Sequence, residues 1–225
     1  MKFKHIISIG YFCSVASELD RKSFRSEAYP FDWLIIDLDS LTDLISNKFK
    51  DFINPTMLAQ YIKPKNVIMH TKYNLKFFHD FDPQKSIINQ LPKAGEKFFR
   101  RIKRLYDALN SQDPILFVRY ISTESTNKDT PKKITRFISE IEKFTNNFQL
   151  LLINHSDQTF SHLSPKILDE LYVKKDQNDQ VARKFFDNQK ISFRFQNNVE
   201  IDIKKRIYNL NRFREKQTNT NNPNQ

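Results

Sequence analysis

Glycine is nearly missing from this sequence. The 225 residues include only Gly10 and Gly95, where an average chain of this length holds about 16. Two glycines so far apart cannot write a Gly-rich phosphate loop, a G-x-G-x-x-G dinucleotide fingerprint or a Walker A motif. Collagen-like repeats and Gly/Ser linkers are excluded with them. Cysteine is scarcer still: Cys13 stands alone, so no internal disulfide can form, which fits a reducing compartment. Long apolar runs are absent as well. No window approaches the roughly 18 uncharged apolar residues of a membrane-spanning helix. The start of the chain, Met1-Lys2-Phe3-Lys4-His5, lacks the apolar stretch and small-residue cleavage site of a secretory signal. A cytoplasmic location is the expectation, short of export by another route. The histidines (His5, His70, His79, His155 and His162) show no H-E-x-x-H spacing, and one cysteine cannot build a Cys-rich zinc site. The grouping of His155 and His162 with Asp157 is the nearest approach to a metal site, and no metal or cofactor is expected.

What the chain has in quantity is aromatic residues and positive charge. It carries 21 Phe, 8 Tyr and 1 Trp, enough large apolar surface for a core despite few aliphatics. Lys and Arg number 37 against 26 Asp and Glu, a net charge of +11. The excess gathers at 93–107 (Lys93, Lys97, Arg100, Arg101, Lys103, Arg104) and at 204–216. Such runs read as solvated helix faces. Binding to nucleic acid would need the same charge, but no nucleic-acid motif accompanies it, and a protein or glycan substrate is the expected partner.

Periodicity predicts an α/β fold, a mostly parallel sheet with flanking helices. Residues 3–9 read as a buried strand ending at Gly10, and Cys13 to Arg21 as a helix. Tyr29-Pro30-Phe31-Asp32-Trp33-Leu34 breaks the pattern with a restricted X-Pro step. A helix over 41–49 follows, capped by Asp39 or Ser40. Short strands are predicted at 66–69 and 75–79, then a helical region over 84–110 that Pro92 splits or restarts. Ile115–Ile121 is a continuous apolar strand, 131–145 an amphipathic helix and 150–153 a second buried strand. Strand, helix and returning strand over 115–153 form a β-α-β crossover. The expected organisation is a core domain at 1–160 and an extension of that domain at 161–215. Within the extension, a helix is expected at 179–187, a hairpin at 191–203 and a basic helix at 203–215. A polar tail at 216–225 is expected to be disordered.

Cys13 sits between a strand end and a helix start, where the positive end of the helix dipole favours a thiolate. A buried apolar filler is the alternative, since free cysteine packs well. The turn is not a nucleophile elbow, because Tyr11 and Val15 stand where G-x-S-x-G has glycines. His79 could serve as a general base, with Asp80 beside it, although neighbours on a strand point to opposite faces. Asp32, between Phe31 and Trp33, is a second acid; a structural cap is its alternative role. Arg119, ending the apolar stretch Leu116-Phe117-Val118, either pairs with a buried carboxylate or reaches a site at the strand end, as an anchor or oxyanion donor. Trp33 and Arg104 complete the substrate-binding candidates.

These residues carry a resemblance. The segments are Ile7-Ser8-Ile9-Gly10-Tyr11-Phe12-Cys13 with Ala16, Ser26-Glu27-Ala28-Tyr29-Pro30-Phe31-Asp32-Trp33-Leu34, Phe78-His79-Asp80-Phe81, Phe99-Arg100-Arg101-Ile102-Lys103-Arg104 and Leu116-Phe117-Val118-Arg119-Tyr120. Together, over about residues 3–155, the chain resembles a family of uncharacterised bacterial and viral proteins described as papain-like cysteine peptidases. The resemblance implies a Cys13/His79 catalytic pair with Asp80 or Asp32 as the third member. It also implies a papain-like α+β fold, with the cysteine helix on an antiparallel sheet, as the alternative to the parallel sheet that the periodicity favours. With a parallel sheet the chemistry extends to acyl or glycan transfer, and a sugar- or polysaccharide-binding domain with a structural Cys13 is the non-peptidase alternative.

Overall fold

A computed structural model describes residues 3–11, 13–21, 24, 27–61, 67–121, 128–154 and 158–172. The elements expected at 179–187, 191–203 and 203–215, the tail, and His155 with Asp157 lie outside the described residues. In chain order the elements are β1 (His5–Ser8), α1 (Cys13–Arg21), β2 (Leu34–Ile35), α2 (Leu38–Ser46), β3 (Leu58–Tyr61) and β4 (Val67–His70). They continue with β5 (Leu75–Phe77), α3 (Ile87–Asn110), β6 (Ile115–Ile121), α4 (Thr130–Glu142), β7 (Phe148–Asn154) and β8 (Ile167–Tyr172).

Four strands form a parallel sheet in the order β1-β6-β7-β8. The continuous apolar runs of β6 and β7 occupy its two central places, where both faces are covered, and nearly every residue of each is buried. Between them α4 makes the crossover, laying Ile134, Phe137, Ile138 and Ile141 on the sheet. Phe137 meets Phe117 of β6 edge to face at 5.5 Å. β8 adds a further strand after residue 160, continuing the same sheet.

The connection from β1 to β6 carries a second sheet, antiparallel, in the order β2-β5-β4-β3. β4 and β5 are the strands predicted around Lys72-Tyr73-Asn74, and Asn74 turns the hairpin in the left-handed region (φ 47°). An aromatic cluster packs this sheet against the helices: Phe52, Phe77, Phe81 and Phe98 lie in ring contact at 5.0–5.7 Å. The molecule thus combines an α/β parallel sheet with an antiparallel one, and a single core cluster runs from Ile7, Phe117 and Leu150 to Leu34, Ile68 and Phe77.

Three expectations are corrected. Asp37, not Asp39 or Ser40, caps α2: its extended backbone (φ −73°, ψ 164°) lets its carboxylate accept the Ser40 N–H at 3.0 Å and the Ser40 hydroxyl at 2.9 Å. Pro92 does not split α3, which runs unbroken through it. The proline lies on the exposed side near the helix start, while Ala94, Phe98 and Leu105 hold the other side in the core. β5 stops at Phe77 instead of 79, and residues 78–81 form a bend. The alternation that would send His79 and Asp80 to opposite faces therefore does not govern them.

Candidate active site

The candidate site is built on the carboxyl end of β1. That strand hands over to α1 through Ile9, Gly10, Tyr11 and residue 12. The turn is tied to β6 on both sides, since the Ile9 N–H donates to Val118 O at 3.0 Å and the Tyr120 N–H donates to Gly10 O at 2.9 Å. Gly10 adopts φ +77°, and the Gly10–Tyr11 peptide is cis. A Cβ at Gly10 would face left-handed strain and would lie 3.0 Å from Arg119 Nη1.

Arg119 occupies the space that glycine leaves. It is 2% exposed. Its guanidinium donates to Ile9 O at 2.5 Å and to Ile36 O at 3.0 Å, and it stacks over the Tyr11 ring at 5.8 Å. Burial pulls its pKa down to about 10, opposed by attraction to Asp37 and Tyr11. It stays charged at neutral pH. The cation is spent on two backbone carbonyls, clamping the end of β1 to the end of β2. It braces the turn from beneath, within the core. Beyond the turn, Cys13 is the first residue of α1 and is half-buried.

Further candidate residues lie on the 29–34 turn. Asp32 is fully buried and accepts the Tyr29 N–H at 2.7 Å, closing the turn on itself. Trp33, next along, holds φ +69°, a left-handed conformation that is rare for a bulky residue and costs on the order of 1–3 kcal/mol. Its half-buried indole meets the His79 ring in a T-shaped contact at 5.5 Å. Leu34, following it, pairs with Phe77 across β2 and β5. The same strand pairing thus carries both Trp33 and the bend that bears His79, which is exposed and hydrogen-bonds to none of the described residues.

Asp80 is paired with a residue of α3. Its side chain is fully buried and its Oδ1 accepts from Lys97 Nζ of α3 at 2.5 Å. Arg104, one helical stretch further on, donates to Ala28 O at 3.2 Å and lies 3.5 Å from Glu27, so it fastens the segment leading into the Tyr29 turn. The structure therefore brings Trp33 to His79, Arg119 to the Cys13 turn and Arg104 to the 27–28 segment. It joins Asp80 to Lys97 and Asp32 to the Tyr29 backbone. Lys97 is the residue that sequence reasoning passed over. It lay in a run of six basic residues, and its spacing to Asp80 follows no local period. Its one signal is its place one residue before Phe98, on the side of α3 that borders the core.

Among the described residues, no group of three or more His, Cys, Asp or Glu could hold a metal ion. No helix there is long and apolar enough to cross a membrane.

The chain is 26% identical over 177 residues to the uncharacterized protein R408 of Acanthamoeba polyphaga mimivirus, an alignment covering 68% of this chain and 79% of that one. No solved structure matches. Residues 4–158, from β1 past β7, match the family described as "putative papain-like cysteine peptidase", and the chain belongs to that family.

Proposed function

We propose that the protein is a cysteine-dependent acyl-transfer hydrolase in which Cys13 is the nucleophile and His79 the general base. The observation that carries this reading is the Gly10 turn: a left-handed glycine over a buried arginine delivers the chain's sole cysteine to a helix N-terminus. There backbone N–H groups and the helix dipole favour both a thiolate and an oxyanion. Membership of a family described in cysteine-peptidase terms supports it.

The chemistry runs in two balanced halves. Cys13 Sγ gives its proton to His79 and attacks a substrate carbonyl carbon. The resulting oxyanion collapses to a thioester as His79 returns the proton to the departing amine or alcohol. Water then loses a proton to His79 and attacks the thioester, releasing the acid and restoring the thiol. Asp32 and Asp80 act from the sides. One closes the turn that bears Trp33, and the other anchors the bend that bears His79. Trp33 and Tyr11 offer aromatic surface to the substrate.

The test is alkylation. Iodoacetamide is expected to modify Cys13 rapidly at neutral pH, and His79→Ala to slow that reaction. A cysteine that stays inert until the protein is denatured ends the proposal. A second reading, a domain that binds or transfers sugar or acyl groups on a polysaccharide with Cys13 structural, draws on the parallel sheet, whose strand ends are a common ligand crevice. It requires Cys13→Ser to leave polysaccharide binding intact.

A further inference from the structure

The bend at 78–81 and the residue after it are held on α3 by three separate devices. Phe77 and Phe81 pack edge to face at 5.2 Å, and Phe77 meets Phe98 of the helix at 5.6 Å. The Asp82 N–H donates to Gln90 Oε1 at 2.7 Å, and Gln90 Nε2 donates back to Asp82 O at 2.9 Å. Between these anchors lies the Lys97–Asp80 pair. The first two hold Phe77, Phe81 and Asp82. Only the third grips the residue adjacent to His79. It is also out of proportion to a surface bridge, since the Asp80 side chain is wholly buried, its Oδ2 has no hydrogen-bond partner among the described residues, and the Lys97 side chain is only 31% exposed. A carboxylate removed from water costs several kcal/mol unless paired.

We infer that Lys97 is a positioning residue: through Asp80 it sets the height and direction from which His79 stands against Trp33. The inference rests on the reading of His79 as the base. Lys97 touches neither the substrate nor the thiol. Its effect passes through one carboxylate and one peptide unit, and a displacement of about 1 Å at that distance is enough to cost a general base most of its advantage. Asp80 thereby takes a part different from that of an acid hydrogen-bonded to the base.

The experiment is the pH profile of Cys13 alkylation by iodoacetamide on the full chain, for the wild type, His79→Ala, Lys97→Met, Lys97→Arg and the double variant Asp80→Asn/Lys97→Met. Lys97→Met is expected to slow alkylation at pH 7 at least about tenfold and to move the profile to higher pH, in the direction His79→Ala moves it. Lys97→Arg, which keeps a cation for Asp80, is expected to restore the wild-type profile. The double variant leaves no orphaned buried charge and folds even if Lys97→Met does not. It is expected to shift the profile as well. If His79→Ala shifts the profile but the folded Lys97 variants follow the wild type, the positioning role is overturned and the base assignment survives. If His79→Ala leaves the profile where it was, the base assignment fails first and the inference falls with it.

Discussion

Gly10 and Arg119 depend on one another. The glycine's missing Cβ is what allows the guanidinium to approach the backbone, and its left-handed φ is what points the chain toward Cys13. Gly10→Ala is therefore expected to lower stability by about 1–3 kcal/mol, combining left-handed strain with a crowded Arg119. Urea denaturation measures it, and a midpoint equal to wild type would mean that the turn has another way to form. His70 offers a second residue-scale test. It is buried on β4 with its ring against Tyr73 at 4.8 Å and its Nε2 3.1 Å from Asp51 O. Burial, the largest influence, lowers its pKa from 6.5, and the Asp51 carbonyl opposes this only in part. The unfolded chain thus takes up a proton near pH 6.5 that the folded chain resists. The stability this represents is complete above that pH and is lost as pH falls below it toward the lowered folded value. His70→Phe is expected to flatten the decline of stability between pH 7 and pH 5, and equal slopes for the two proteins would refute the assignment.

At the scale of elements, α4 separates packing from charge. Arg136 bridges Asp39 and Asp43 of α2 but is 48% exposed, so Arg136→Ala is expected to cost less than about 1 kcal/mol and to cost less still in high salt. Its neighbour Phe137, fully buried against Phe117, is expected to cost about 3–5 kcal/mol when truncated to alanine. Thermal or urea melts rank the two, and a reversed order would mean that the helix is held by its ion pairs. The same contrast decides which elements the sequence reveals. Ile115–Ile121 and the α4 stripe are legible because burial is written into every residue or every turn. β2 is two residues long, and Leu58-Ala59-Gln60-Tyr61 of β3 alternates too weakly to announce a strand. The α2 cap was open to misreading because Asp37, Asp39 and Ser40 all qualify by type, and only backbone angles choose among them. Cys13, Trp33 and His79 stand out by residue type, but the pairing of Asp80 with Lys97 spans 17 positions and has no periodic trace.

The described residues share one core under two sheets. Phe77 and Phe98 belong to the same apolar cluster as Phe117 and Leu150, so the antiparallel sheet has no separate interior on which to stand. Unfolding is expected to be a single cooperative transition, with far-UV and near-UV circular dichroism tracing one curve. Two separated transitions would show that the small sheet folds on its own, and with it the bend that carries His79. The T-shaped contact of Trp33 with His79 has one more consequence. Trp33 is the chain's only tryptophan, so the protein's entire indole emission comes from a ring touching the candidate base. The fluorescence of the unlabelled protein therefore reports directly on the surroundings of the candidate base, and a substitution that moves the His79 bend is readable as an emission change before any substrate is known.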